Sequence, residues 1–193
     1  LAWVFIFKAI TKAQMQEQAA TRTLSIDVGY RNLAFCVGST DYTGSAPCTT
    51  IEQCWLVDAC AARKPRSVAD AVSSVLRALD DAVGSELRAS RIDHVLIERQ
   101  VRSSGMNFGI AHALMGYFYP LPVTFVAAKA KFKGFTMPPA PLPPPKKPNL
   151  KKLAIELVMG LDLPSVHKYL QSCKKKDDIC DCVLQLLAHT SAA

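Results

Sequence analysis

Residues 23–37 read TLSIDVGYRNLAFCV, and the architecture of the chain follows from this stretch. Thr23–Asp27 alternates toward β-branched and apolar residues and ends just before Gly29, the pattern of a strand leaving a core. Leu33–Val37 is a second apolar run, reached through Gly-Tyr-Arg-Asn, so the two form a hairpin. Residues 41–50 are rich in Asp, Gly, Ser, Pro and Thr and read as a loop, after which Ile51–Val57 supplies a third strand. Three consecutive antiparallel strands are therefore expected at the start of the sheet.

The pattern then changes period. Ser67 caps a helix whose apolar residues Val68, Ala71, Val72, Val75, Leu76 and Leu79 recur at helical spacing, ending near Gly84. His94–Ile97 is short and wholly apolar after its first residue, as a strand buried on both faces should be. Residues 103–119 read as a helix and 123–127 as the next strand. Asn149 caps a further helix with Leu153, Ile155, Leu157 and Val158 on its apolar face. A last helix over 177–188 points Ile179, Val183, Leu184 and Leu187 inward. Strands first, then alternating helix and strand, predict an α/β domain with a mixed five-stranded sheet, three strands antiparallel and the later ones parallel, flanked by helices. Residues 1–21 form an N-terminal extension and 22–193 the domain. The segment at about 137–148 (MPPAPLPPPKKP) is an extended proline-rich insertion.

Length, charge and cysteines narrow the class. The chain has 193 residues, enough for one domain, and a formal net charge of +7, which favours a polyanionic partner. Its seven cysteines are odd in number and irregularly spaced, so reduced intracellular thiols are expected rather than a disulfide framework. Cys173, Cys180, Cys182 and His189 are poor zinc ligands, because a Cys-x-Cys pair inside a helix splays its thiols apart. The apolar run Leu1–Ile10 is too short to span a bilayer and lacks the features of a secretory leader, so no membrane partner is expected.

Four carboxylates stand out. Asp27 and Glu98 each sit at the exit of a core strand, where a lone charge is costly. Either alone is explained as a strand cap or as a partner for Arg31 or Arg99. Asp178 and Asp181 are three apart on one helical face, where the macrodipole accounts for one acid more easily than for three (Asp177 included). Close carboxylates repel unless a cation lies between them. Oxygen-only ligands suit Mg²⁺ or Mn²⁺, and two such ions can promote phosphodiester hydrolysis.

Three motifs resemble those of the RuvC-like Holliday junction resolvases, and most closely the branch shared by fungal mitochondrial and poxvirus resolvases. They are SIDVGYRNLAFCV, LIERQVRSSGMN and KKKDDICDCVLQ, in the family's order over residues 22–189. The resemblance implies an RNase H-like fold and a homodimer acting on four-way DNA junctions, with Asp27, Glu98, Asp178 and Asp181 as catalytic metal ligands. It implies DNA contacts from Arg31, Gln100, Arg102, Lys131, Lys133 and Lys176. A lysine near the scissile phosphate is also expected, with Lys129, Lys131 and Lys133 as candidates. The compartment would be mitochondrial, organellar or a site of viral replication. The other functions considered are an RNase H-like nuclease acting on an RNA–DNA hybrid or flap, an ATP-binding protein of the actin and hexokinase type, and a non-catalytic junction binder. The ATP-binding fold requires a second Asp-x-Gly domain, which these residues do not hold.

Overall fold

The computed structural model describes residues 20–61, 63–89, 91–136 and 149–191. The proline-rich insertion and nearly all of the N-terminal extension lie outside them. Strands β1 (Thr21–Asp27), β2 (Leu33–Asp41), β3 (Cys48–Val57), β4 (His94–Glu98) and β5 (Val123–Val126) form one sheet in the order β3-β2-β1-β4-β5. β1 pairs antiparallel with β2, and β2 with β3; β4 pairs parallel with β1, and β5 with β4. The mixed sheet is as expected.

Helices α1 (Val68–Ala89) and α2 (Gly105–Tyr117) cover one face of the sheet, and α3 (Leu150–Met159), α4 (Pro164–Ser172) and α5 (Lys176–Thr190) cover the other. Alternation along the strands divides the core accordingly. Leu33, Phe35 and Val37 pack with α1 and α2, while Ala34 and Cys36 between them face α3, α4 and α5. Ser25, Ala34 and Cys36 are small, so α5 can lie close against the sheet. Gly38 serves the same end at a bulge in β2. A Cβ there would stand 2.9 Å from the Thr50 carbonyl oxygen and 3.3 Å from a Leu186 methyl.

Local capping follows the sequence. The Ser67 hydroxyl accepts from the Asp70 N–H at 3.1 Å, and the Asn149 side-chain oxygen Oδ1 accepts from the Lys152 N–H at 3.2 Å. Two expectations need correction. Helix α1 does not stop near Gly84 but continues to Ala89, since an internal glycine costs a helix only about 1 kcal/mol. Helix α5 is not simply amphipathic. Beyond Ile179, Val183 and Leu184, it also buries Cys180, Cys182, Gln185 and Leu186, while Leu187 is only partly buried. Gln185 is tolerated because its amide donates to the Ser25 hydroxyl at 3.1 Å. Helix α4 was not anticipated.

Candidate active site

The parallel pairing of β1 with β4 builds the site. Ile26 is opposite Ile97, so the next residues, Asp27 and Glu98, leave the sheet side by side. Alternation turns both toward the α5 face, since Ile26 and Ile97 belong to the opposite core. The two carboxyl groups are close enough for the Glu98 charge to act on Asp27. Burial raises the Asp27 carboxyl well above the usual carboxylate range, and the Glu98, Asp181 and Asp178 charges add to the effect.

Helix α5 brings the second pair. Asp178 and Asp181 lie in its first turns, and burial raises both above the usual range. Asp178 Oδ2 and Asp181 Oδ1 are buried without a hydrogen-bond partner, a costly condition for carboxylate oxygens. Asp177 turns away to an ion pair with Lys151 on α3, which holds its carboxyl below the ordinary range against the opposing effect of burial. Of the two neighbours, Asp178 keeps a buried oxygen without a partner, whereas Asp177 is engaged by Lys151.

Among the three candidate lysines, Lys131 reaches the acids. It is buried in the 3-10 turn Ala130–Phe132, with its ammonium 2.6 Å from Asp181 Oδ2 and 3.5 Å from Glu98 Oε1. Burial alone would lower its pKa, but Asp181, Glu98 and Asp27 together hold it above the ordinary lysine value. A solvated basic loop describes Lys129 and Lys133, which are exposed, but not Lys131. The sequence offered no means of choosing among the three, because the turn alone decides which one points inward.

Cys182 was missed altogether as part of this site. Its sulfur accepts from the Asp27 N–H at 3.1 Å, and its thiol donates to the Ala34 carbonyl at 3.1 Å. Asp27 and Ala34 are opposite one another across β1 and β2, so the thiol bridges the pair at the strand end that carries the acid. Cys182→Ser retains donor and acceptor and is expected to keep activity within a few-fold. Cys182→Val leaves the buried Asp27 N–H unpaired, at a cost of about 1–3 kcal/mol. Thermal melting and cleavage rates of both variants check this.

The remaining residues spread outward. The Gln100 amide donates to Glu98 Oε2 at 3.4 Å, beside the acids. Arg31, Arg102, Lys133 and Lys176 are exposed. Tyr30 packs its side chain partly against the α1/α2 core.

Among the described residues, no three His, Cys, Asp or Glu side chains close on one point as a finished metal cage. The Lys131 ammonium lies between Asp181 and Glu98, where it supplies positive charge. The donor set still fits a hard divalent cation: four neighbouring carboxylates, two of them with a buried oxygen that has no hydrogen-bond partner.

No protein-family model and no curated protein matches the sequence. Solved structures do. The chain is similar to the fowlpox virus resolvase crystallised with substrate Holliday junction DNA, at TM-score 0.62 and 21% identity, covering 89% of this chain and 98% of that one. It is similar to the yeast mitochondrial Holliday junction resolvase at TM-score 0.60 and 15% identity, covering 89% and 80%. Thermus thermophilus RuvC in complex with a Holliday junction substrate matches at TM-score 0.52 and 13% identity, covering 88% and 92%. With its strand order, its two helical layers and the acids at the ends of β1 and β4, the chain has the RNase H-like fold of the RuvC-type Holliday junction resolvases.

Proposed function

We propose that the protein is a metal-dependent endonuclease that resolves four-way DNA junctions. The observation that carries the proposal is the convergence of Asp27, Glu98, Asp178 and Asp181 around buried, unpaired carboxylate oxygens, on a fold shared with junction resolvases. A non-catalytic DNA binder gains nothing from four acids set beside a polyanion. Those four residues would hold one or two Mg²⁺ or Mn²⁺ ions, which supply Lewis-acid stabilisation of the leaving oxygen and a more acidic water. Asp27, whose carboxyl is held well above the ordinary range by burial, would be ionised as a ligand. Lys131 brings a positive charge within hydrogen-bonding distance of the acids, where it can also meet a non-bridging oxygen of the scissile phosphate. Gln100 orients Glu98 from the side. The exposed Arg31, Arg102, Lys133 and Lys176 bind flanking phosphates, so affinity falls steeply with salt.

Paired cuts on opposed strands call for two sites related by a two-fold axis, and hence a homodimer. The C-terminal end of helix α2 supports this assembly, since Met115 is exposed there and Tyr119 just beyond it. Relatives of this fold in a virus and in mitochondria support a viral or organellar setting. Among the described residues no helix is long and apolar enough to cross a membrane.

The test is cleavage of a labelled four-way junction, a duplex and an RNA–DNA hybrid, each with and without Mg²⁺. Paired nicks on the junction alone, dependent on the metal, are expected. Cleavage of the hybrid alone would make the protein an RNase H-type enzyme instead, and binding without cleavage would leave it a junction-binding protein.

A further inference from the structure

At the exit of β4, on the α2 side of the sheet and joined to Glu98 through Gln100, lies an open hollow of about 370 Å³ lined by Arg99, Gln100, Arg102, Phe108, His112 and Phe125. Its size falls at the low end for a small-ligand site. Three of the six residues are rings set in a row. The His112 centroid lies 4.2 Å from that of Phe108 and 5.3 Å from that of Phe125, with the planes inclined by 39° and 32°. The row is fixed in place. His112 Nδ1 lies 2.8 Å from the Phe108 carbonyl oxygen, so that nitrogen donates and pins the ring, yet the residue as a whole is exposed.

The rest of the lining is polar and cationic. Arg99 and Arg102 are exposed, and no carboxylate lines the hollow. Gln100 is shared, since it lines the hollow while its amide donates to Glu98. A ligand matched to this lining needs a flat π face joined to an anion. A free phosphate would use the arginines and leave the rings in water. An aliphatic chain would use the rings and leave two guanidiniums without a counter-charge.

We infer that this hollow receives a nucleotide turned out of the DNA beside the scissile phosphate, its base against the Phe108–His112–Phe125 row and its phosphate between Arg99 and Arg102. The inference rests on the nuclease function proposed above and adds the path of the strand next to the cut. Turning out a nucleotide costs least at a branch point, where stacking is already interrupted. Base–aromatic contacts of this kind tolerate any base, so the hollow selects for an unstacked strand rather than for a sequence.

The experiment uses the full chain and four-way junctions carrying one abasic site at each position in turn around the mapped cut. Affinities are measured with calcium in place of magnesium. At one position the wild type should lose about tenfold in affinity when the base is missing, the scale of one lost stacking contact. His112→Ala should bind the intact junction about tenfold more weakly and no longer distinguish that abasic junction from the intact one. His112→Leu, which keeps apolar bulk but no π face, should behave as His112→Ala does. Arg102→Ala should weaken all junctions while preserving the discrimination. Equal losses by His112→Ala on intact and abasic junctions would overturn the inference, as would a wild type indifferent to every abasic position. Either result leaves the nuclease function standing if the wild type still cuts junctions. A wild type that neither binds nor cuts branched DNA overturns both.

Discussion

Asp27→Asn is expected to slow cleavage by about a thousandfold while raising the melting temperature of the metal-free protein. The rate effect would follow from loss of a ligand at the proposed metal site, where a cation would contribute several kcal/mol to the transition state. The stability effect has the opposite sign because the acids are crowded. The Asp27, Asp178 and Asp181 carboxyls are all raised, chiefly by burial. A carboxyl raised in the folded state contributes stability that is fully present below the unfolded carboxylate range. That contribution is lost as pH rises through the folded value. At neutral pH without metal, the cluster therefore works against folding. The asparagine removes one charge and keeps the shape, which should add about 1 kcal/mol, or roughly 3 °C for a chain of this size. Melting curves at pH 4 and pH 7.5, with and without Mg²⁺, check each part. The wild type should lose stability between the two pH values when metal-free and recover it with Mg²⁺, and the variant should do less of both. A variant less stable than the wild type at pH 7.5 without metal would show that the cluster carries no such strain.

The second large effect concerns the scaffold. Leu184→Ala is expected to destabilise the protein by about 3–4 kcal/mol and to lower its melting temperature by roughly 10 °C. Leu184 is fully buried in the core that joins α5 to the sheet, among close-packed residues with little room to collapse into a cavity. Two of the four acids ride on this helix, so cleavage should also fall at temperatures where the variant remains folded. Asp27 and Glu98 stand on strands and would keep their places. Near-UV circular dichroism alongside single-turnover rates separates the two consequences.

The parts of the fold legible in the sequence are those with a local cause. The β1–β2 hairpin could be read because two apolar runs flank a short polar turn, and β4 because Val95, Leu96 and Ile97 admit no exposed face. Asp27 and Glu98 were legible as candidate site residues only in combination with the helical pair, because either one alone is explained as a strand cap or an arginine partner. Features created only by packing stayed hidden. Nothing in Lys129, Lys131 and Lys133 foretells which one the 3-10 turn directs inward. Cys182 reads as one more apolar position on a helix until β1 and β2 are placed beneath it. Helix α4 is short, and its buried residues Val166 and Leu170 make only one helical repeat. The aromatic row likewise joins residues of α2 and β5 that no local spacing connects.

The lodging of α5 against the sheet also bears on when the four acids come together. Asp27 and the Cys182 that bridges its strand end are 155 residues apart, and the two acids of α5 arrive with that helix. A contact of such long range forms late, because closing so large a loop has a high entropic cost before any packing offsets it. A chain still emerging from the ribosome therefore carries Asp27 and Glu98 before Asp178 and Asp181 can join them. If the protein is the nuclease proposed above, cutting would wait until α5 has packed against the sheet.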